Sequence, residues 1–146
     1  MITGFNHTSF TVADIQKSVR FWTEKLGFKA ASVSPRSGHW QEEVTGVAGA
    51  SLLIAHLHGH GHHIEFIQYL EGAAEGAPPP PSARCAAHVC LEVDDIEGSW
   101  RELLAAGATG QGVIAEVDSG PVKGCKAGYL RDPNGIIIEL VELKGG

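Results

Sequence analysis

Two histidines and two glutamates recur in matching places along this chain. Val12-Ala13-Asp14-Ile15 matches Val93-Asp94-Asp95-Ile96 at an offset of 81 (93 − 12), and the same offset carries His7 onto His88. Further along, Ile64-Glu65-Phe66 matches Ile138-Glu139-Leu140 at an offset of 74 (139 − 65). Glu139 sits inside the run Ile136-Ile137-Ile138-Glu139-Leu140-Val141, where a carboxylate is costly unless something positive receives it. Glu65, between Ile64 and Phe66, is in the same position. Two imidazoles and two carboxylates suit one divalent first-row cation, with nickel, cobalt, manganese, zinc and iron all acceptable. Such a set leaves one or two positions open for water or substrate oxygens.

The elements that must carry these residues repeat as well. Phe5 to Val12 reads as a strand, Asp14 as a helix N-cap, and Ile15, Val19, Phe21, Trp22 and Leu26 as the apolar positions of a helix that Gly27 ends. Lys29 to Ser34, Ser51 to Leu57 and His63 to Leu70 read as three more strands. The second half repeats the order: a strand over Ala87 to Val93, an Asp95 cap, a helix over Ile96 to Ala106, then strands over 112–117, 124–131 and 136–143. Asp132-Pro133-Asn134-Gly135 is a turn between the last two. The reading is α+β, with paired βαβββ modules whose curled mixed sheets enclose a metal-binding cleft. Residues 1–70 and 85–146 are the two modules of one structural domain. Residues 71–84, with four consecutive prolines from Pro78 to Pro81, form a stiff linker.

Composition limits the partners. The chain has 146 residues, 43% of them hydrophobic and 19% charged, which suits one soluble domain. Seventeen acidic against eleven basic residues give a formal charge of −6, which argues against nucleic acid or an anionic membrane as partner. No apolar run is long enough to span a bilayer, and Met1-Ile2-Thr3-Gly4 does not begin a signal peptide. Cys85, Cys90 and Cys125 are odd in number and widely spaced, which fits a reducing, cytoplasmic setting. Cys90 reads as buried core and Cys125 as a loop-edge thiol.

These motifs resemble the vicinal oxygen chelate superfamily, which includes glyoxalase I, extradiol dioxygenases and the bleomycin- and fosfomycin-resistance proteins. The resemblance rests on Asn6-His7-Thr8, Phe21-Trp22-Thr23-Glu24-Lys25-Leu26-Gly27-Phe28 and Ala87-His88-Val89. With them go Gly120-Pro121-Val122-Lys123-Gly124 and Asp132-Pro133-Asn134-Gly135 with Ile138-Glu139-Leu140. It implies a metal held by His7, Glu65, His88 and Glu139, a homodimer, and a small-molecule substrate that chelates through two adjacent oxygens. Glu139, then Glu65, would be the proton-moving base of a glyoxalase I-like lyase or isomerase working through a metal-stabilised enolate. Thr11 and Tyr69 stand where glyoxalase I has its glutathione-holding arginine and asparagine, so the substrate need not be a glutathione adduct. The alternatives are an extradiol-type Fe(II) dioxygenase using His7, His88 and Glu139, and a non-catalytic protein that binds an antibiotic or other small molecule.

Five further residues are candidates for substrate contact: Lys123 and Arg131 for an anionic group, and Tyr129, Trp40 and Phe66 as aromatic lining of the cleft. Five histidines crowd between Ala55 and Ile64. Alternation would set His56, His58, His60 and His62 on one side of an exposed hairpin tip. His63, two residues from Glu65, shares its sheet face and is the rival for a place at the metal.

Overall fold

The computed structural model describes residues 1–144, which divide into two compact units, 1–76 and 77–144. Both are α+β, each a mixed sheet with a helix inserted after its first strand.

The first unit runs β1 (Thr8–Thr11), α1 (Ile15–Lys25), β2 (Lys29–Arg36), α2 (His39–Thr45), β3 (Ser51–Gly59) and β4 (His62–Glu71). Its sheet has the order β1-β4-β3-β2, with β1 parallel to β4 and the other pairs antiparallel. Asp14 caps α1 by accepting from the backbone N–H of Gln16 and Lys17. The face that α1 turns to the sheet carries Ile15, Ser18, Phe21 and Trp22, all buried. Trp22 lies at the centre, its ring 5.1 Å from Phe28 and 5.2 Å from Phe66. Phe66 is therefore core, on the opposite face of β4 from Glu65, and does not line a site.

The second unit runs β5 (His88–Glu92), α3 (Ile96–Ala105), β6 (Thr109–Gly110), β7 (Ala115–Glu116), β8 (Lys126–Arg131) and β9 (Ile137–Glu142). Its sheet has the order β5-β9-β8-β6, with β7 also paired to β8 and β5 parallel to β9. Ile96 and Leu103 of α3 fill the places that Ile15 and Trp22 hold in α1, at the same offset of 81 (103 − 22). The helix start is also tied alike in both units. Ile15 donates its N–H to Gln68 Oε1 at 2.9 Å, and Ile96 donates to Glu142 Oε2 at 2.8 Å. Gln68 and Glu142 are again 74 apart (142 − 68), so the repeat includes a tertiary tie as well as the candidate ligands.

Several boundaries differ from the sequence reading. Strand β1 begins at Thr8, so His7 stands just outside it. The short α2 carries no apolar periodicity that would announce it. β3 and β4 run into their turn, extending to Gly59 and starting at His62. Among the described residues, no helix is long and apolar enough to cross a membrane.

Candidate metal centre and family

In the first unit, parallel pairing sets Thr8 opposite Ile64 and Ser9 opposite Glu65, which places His7 beside His63 at the mouth of the sheet. Antiparallel pairing sets His56 opposite Glu65 and His58 opposite His63. One sheet face therefore carries four imidazoles around one carboxylate. The hairpin turn is responsible. His60 and Gly61 both adopt left-handed conformations (φ 52° and 76°), forming a two-residue loop of the kind that joins twisted strands. The chain reverses there, so His60 leaves the histidine face and donates from Nε2 to the Leu26 carbonyl at 2.8 Å, closing the end of α1. The single-sided row of His56, His58, His60 and His62 expected from alternation does not form. His56 and His58 instead face His63.

Glu65 is only 9% exposed. Its Oε1 lies 3.3 Å from His7 Nε2 and its Oε2 lies 3.8 Å from His56 Nε2. His7 Nδ1 donates to the side-chain oxygen of Asn6 at 2.7 Å. A metal-ligating histidine is commonly held in this way by a second partner on its other nitrogen. Desolvation, outweighing the attraction of Glu65, lowers the His56 pKa below the ordinary histidine value. A cavity of about 310 Å³ adjoins this face, lined by Phe5, Asn6, Thr8, His58 and His63.

In the second unit, His88 Nε2 lies 3.1 Å from Glu139 Oε2. Glu139 is flanked in register by Cys90 on β5 and Tyr129 on β8. Cys90 shares the face of His88 at a spacing of two. It is exposed rather than core, while Cys125 is the buried thiol. Desolvation first, then the charge of Glu139 and a hydrogen bond to it, push the Cys90 thiol up to about 11, so it is a protonated donor and not a nucleophile. The Tyr129 hydroxyl stands 3.5 Å from His88 Nε2, and its pKa is raised by burial and by the same carboxylate. Tyr129 is thus at the His88–Glu139 pair, and Cys90 is the neighbour that sequence reasoning missed. Period-two spacing from His88 was the signal for it.

The remaining candidates lie elsewhere. Arg131 gives its guanidinium to Gln111 Oε1 (2.6 Å) and to the carbonyls of Gly135 (2.7 Å) and Pro79 (2.9 Å), tying the proline segment to the β8–β9 turn. That turn forms as its sequence dictates, with Asp132 Oδ1 accepting from Asn134 and Ile136 at 2.9 Å each. Lys123 is exposed in the turn that its N–H closes onto Gly120. Trp40 is half exposed on α2, an element separate from the histidine face. Asp95, Glu97 and Glu142 also converge, with Lys126 paired to two of them, 2.7 Å from Glu97 and 3.8 Å from Glu142.

A family model described as the Glyoxalase/Bleomycin resistance protein/Dioxygenase superfamily matches residues 4–140. A 2-epi-5-epi-valiolone epimerase of Actinomyces is 28% identical over 97% of this chain and 80% of its own. A probable lactoylglutathione lyase of Vibrio parahaemolyticus is 26% identical over 94% of this chain and 89% of its own. Among solved structures, a glyoxalase family protein from Bacillus cereus superposes with a TM-score of 0.83 at 24% identity, covering 99% of this chain and 97% of that one. The fosfomycin resistance protein FosX of Listeria monocytogenes, solved with Mn(II) and sulfate, superposes at 0.58 with 14% identity, covering 99% and 95%. With two βαβββ units, each bringing a histidine to a glutamate, and with a family model matched over nearly all its length, the chain belongs to the Glyoxalase/Bleomycin resistance protein/Dioxygenase superfamily.

Proposed function

We propose that this protein is a divalent-metal-dependent lyase or isomerase that moves a proton on a carbon beside a carbonyl, in a small molecule with two adjacent oxygens. The observation that carries the reading is the doubled pair: His7 Nε2 on Glu65 at 3.3 Å and His88 Nε2 on Glu139 at 3.1 Å, at repeated positions in the two units. The donor chemistry fits one divalent cation held by His7, Glu65, His88 and Glu139, and the Asn6–His7 hydrogen bond fits a ligand held by an outer partner. Such an ion supplies Lewis acidity to the two substrate oxygens.

The side chains then divide the remaining work. Glu139, with 22% of its side chain exposed against 11% for Glu65, is the more accessible carboxylate and takes the proton from carbon. The Cys90 S–H is a donor to it, and the Tyr129 hydroxyl stands at its partner His88. Glu65, enclosed by imidazoles, has the holding role and is the second choice as base. Return of the proton to the neighbouring carbon gives the glyoxalase outcome, and return to the same carbon from the other side gives epimerisation. The curated relatives carry one name of each kind. The protein is proposed to act as a cytoplasmic homodimer.

The test is metal analysis of untagged wild type beside Glu65→Ala, followed by product analysis in deuterium oxide with hemithioacetals and α-hydroxy ketones. About one divalent metal per chain, lost in the variant, with solvent deuterium in the product, is the expected result. Less than about one metal per two chains after reconstitution sinks the proposal. Fe(II)-dependent oxygen uptake with catechols would make the protein a dioxygenase. Ligand binding with neither metal nor turnover would make it a sequestering protein.

A further inference from the structure

A recess of about 340 Å³ opens beside the second pair, and Tyr129 belongs to both. Its floor is β8 from Ala127 to Tyr129, and its sides are the segment from Gln111 to Val113 and, opposite, Pro81 of the proline run. The sheet makes room for it. β6 ends its pairing with β8 at Gly110 opposite Leu130, β7 resumes at Ala115 opposite Ala127, and residues 111–114 between them leave the ladder. In the first unit the outer strand β2 follows β3 from Lys29 to Arg36 with a single bulge, so this interruption is particular to the second unit. Much of the polar lining is already engaged. Gln111 and Gly112 both donate their N–H to the Tyr129 carbonyl, at 2.9 and 3.1 Å. Gln111 Oε1 accepts from Arg131 Nε at 2.6 Å, and Arg131 also donates to the Pro79 carbonyl at 2.9 Å, so one guanidinium holds both sides in place. Its third nitrogen donates to Gly135, which leaves this cation committed to the scaffold. What faces the recess is apolar: Pro81, Val113, Ala127 and the Tyr129 ring, with no charged side chain among the lining. Val113 is 78% exposed at the rim, apolar surface that a ligand would cover.

We propose that this recess takes an uncharged, apolar substituent of the substrate, so that the protein acts on vicinal-oxygen compounds carrying an aryl or branched alkyl group and not a charged tail. The proposal rests on the reading above that the reaction occurs at the His88–Glu139 pair. Tyr129 joins the two places: its hydroxyl stands 3.5 Å from His88 Nε2 while the residue lines the recess, so a substituent lying against its ring begins beside the pair. A carboxylate entering the recess would lose water with no cation offered to receive it. An aryl group would instead displace water from Val113, Pro81 and Ala127, and its binding would help to hold the two oxygens in place.

The experiment uses untagged full-length protein and three probes: hydroxyacetone, phenylacetylcarbinol, and phenylacetylcarbinol bearing a carboxylate on its ring. Calorimetric titration gives the affinities, and the amide resonances of Gly112, Val113 and Gly128 report the place of binding. Phenylacetylcarbinol is expected to bind about tenfold or more tighter than hydroxyacetone and to shift those resonances, and the ring carboxylate to remove the gain. Val113→Asp changes a side chain that the fold does not bury. It should weaken phenylacetylcarbinol about tenfold or more and leave hydroxyacetone unchanged, while Val113→Ile should preserve both affinities. Equal affinity for the first two probes overturns the recess. So does a gain that survives Val113→Asp or the ring carboxylate, or one whose shifts fall on other residues. The reading beneath it fails separately. Recess binding that meets every criterion, in a protein that neither holds metal nor incorporates solvent deuterium, keeps the recess as a ligand site and sinks the lyase or isomerase. Deuterium incorporation into hydroxyacetone with no preference for the phenyl probe upholds the enzyme and overturns the recess.

Discussion

Glu65 and Glu139 hold equivalent places on the last strands of the two units, yet the rows of side chains across them differ. The first row reads Ser9, Glu65, His56 from β1 through β4 to β3, and the second reads Cys90, Glu139, Tyr129 from β5 through β9 to β8. The next row continues the contrast: His63 faces His58 in the first unit, while Ile137 faces Arg131 in the second. The backbone repeat therefore fixes where a carboxylate emerges, and the strand beside it fixes what that carboxylate is prepared for. Glu65 is surrounded by imidazoles and is the more enclosed of the two, as suits a group that holds a cation. Glu139 has the Cys90 thiol as a donor, Tyr129 across from it and more solvent access, as suits a group that exchanges a proton with substrate.

The largest test of that division is catalytic. Glu139→Gln, which keeps the shape and removes the base, should lower kcat by about 10²- to 10⁴-fold while retaining most of the bound metal. Glu65→Gln should act first on occupancy, with activity returning as metal is raised. Equal loss of kcat in both at saturating metal would erase the distinction.

The cores can be compared at matched positions. Trp22 and Leu103 occupy the same place on α1 and α3, at 0% and 4% exposure. Trp22→Ala should cost about 3–5 kcal/mol and Leu103→Ala about 2–5 kcal/mol, measured as the denaturant midpoint with the slope unchanged. A first unit that loses less than the second would mean that the aromatic cluster of Trp22, Phe28 and Phe66 repacks around the gap.

The repeat was legible in the sequence because capping aspartates, helix-ending glycines and glutamates inside apolar strands are local signals that recur at fixed offsets. It predicted the α+β class, α1 and α3 and the order of the main strands, and it singled out His7, Glu65, His88 and Glu139, which the structure brings together as two pairs within 3.3 Å. What it could not carry depends on register. Whether His56 meets Glu65 is decided by the position of a two-residue turn, and a shift of one residue would have sent His56 to the other face. His60-Gly61 lacks the usual asparagine-glycine signature, so alternation alone ran the histidine row straight through the turn. Helix α2 and the two-residue strands β6 and β7 are too short to leave a periodic trace. The role of Arg131 was hidden for a different reason: its acceptors are backbone carbonyls far apart in sequence, which side-chain patterns do not show.

Smaller effects probe the scaffold that the two units share. Asp14 accepts two backbone hydrogen bonds at the start of α1 (3.1 and 3.2 Å), whereas Asp95 accepts one at the start of α3 (2.9 Å). Replacing either with alanine should cost about 1 kcal/mol, Asp14 the more, as read from chemical denaturation. An effect at Asp95 clearly larger than at Asp14 would show that the tie from Ile96 to Glu142 fails with the cap, coupling the two features in the second unit.

The smallest effect belongs to an ion pair found only in the second unit. A hydrogen bond from Lys126 lowers the Glu97 pKa below 4.5, and the same bond raises the Lys126 pKa above 10.5. A carboxylate depressed on folding stabilises above its unfolded pKa and loses that contribution as pH falls through the folded one. A raised lysine stabilises below its unfolded pKa and loses the contribution as pH rises through the folded one. The pair should therefore act fully between about 4.5 and 10.5 and fade on both sides. Both groups are solvent-exposed, so Glu97→Gln should lower Tm by no more than about 2 °C at neutral pH and low salt. The difference should shrink in high salt and vanish in strong acid, where wild-type Glu97 is itself neutral. A difference that persists in acid would place the role of Glu97 in the capping turn of α3 instead, where its side chain would be contributing without its charge.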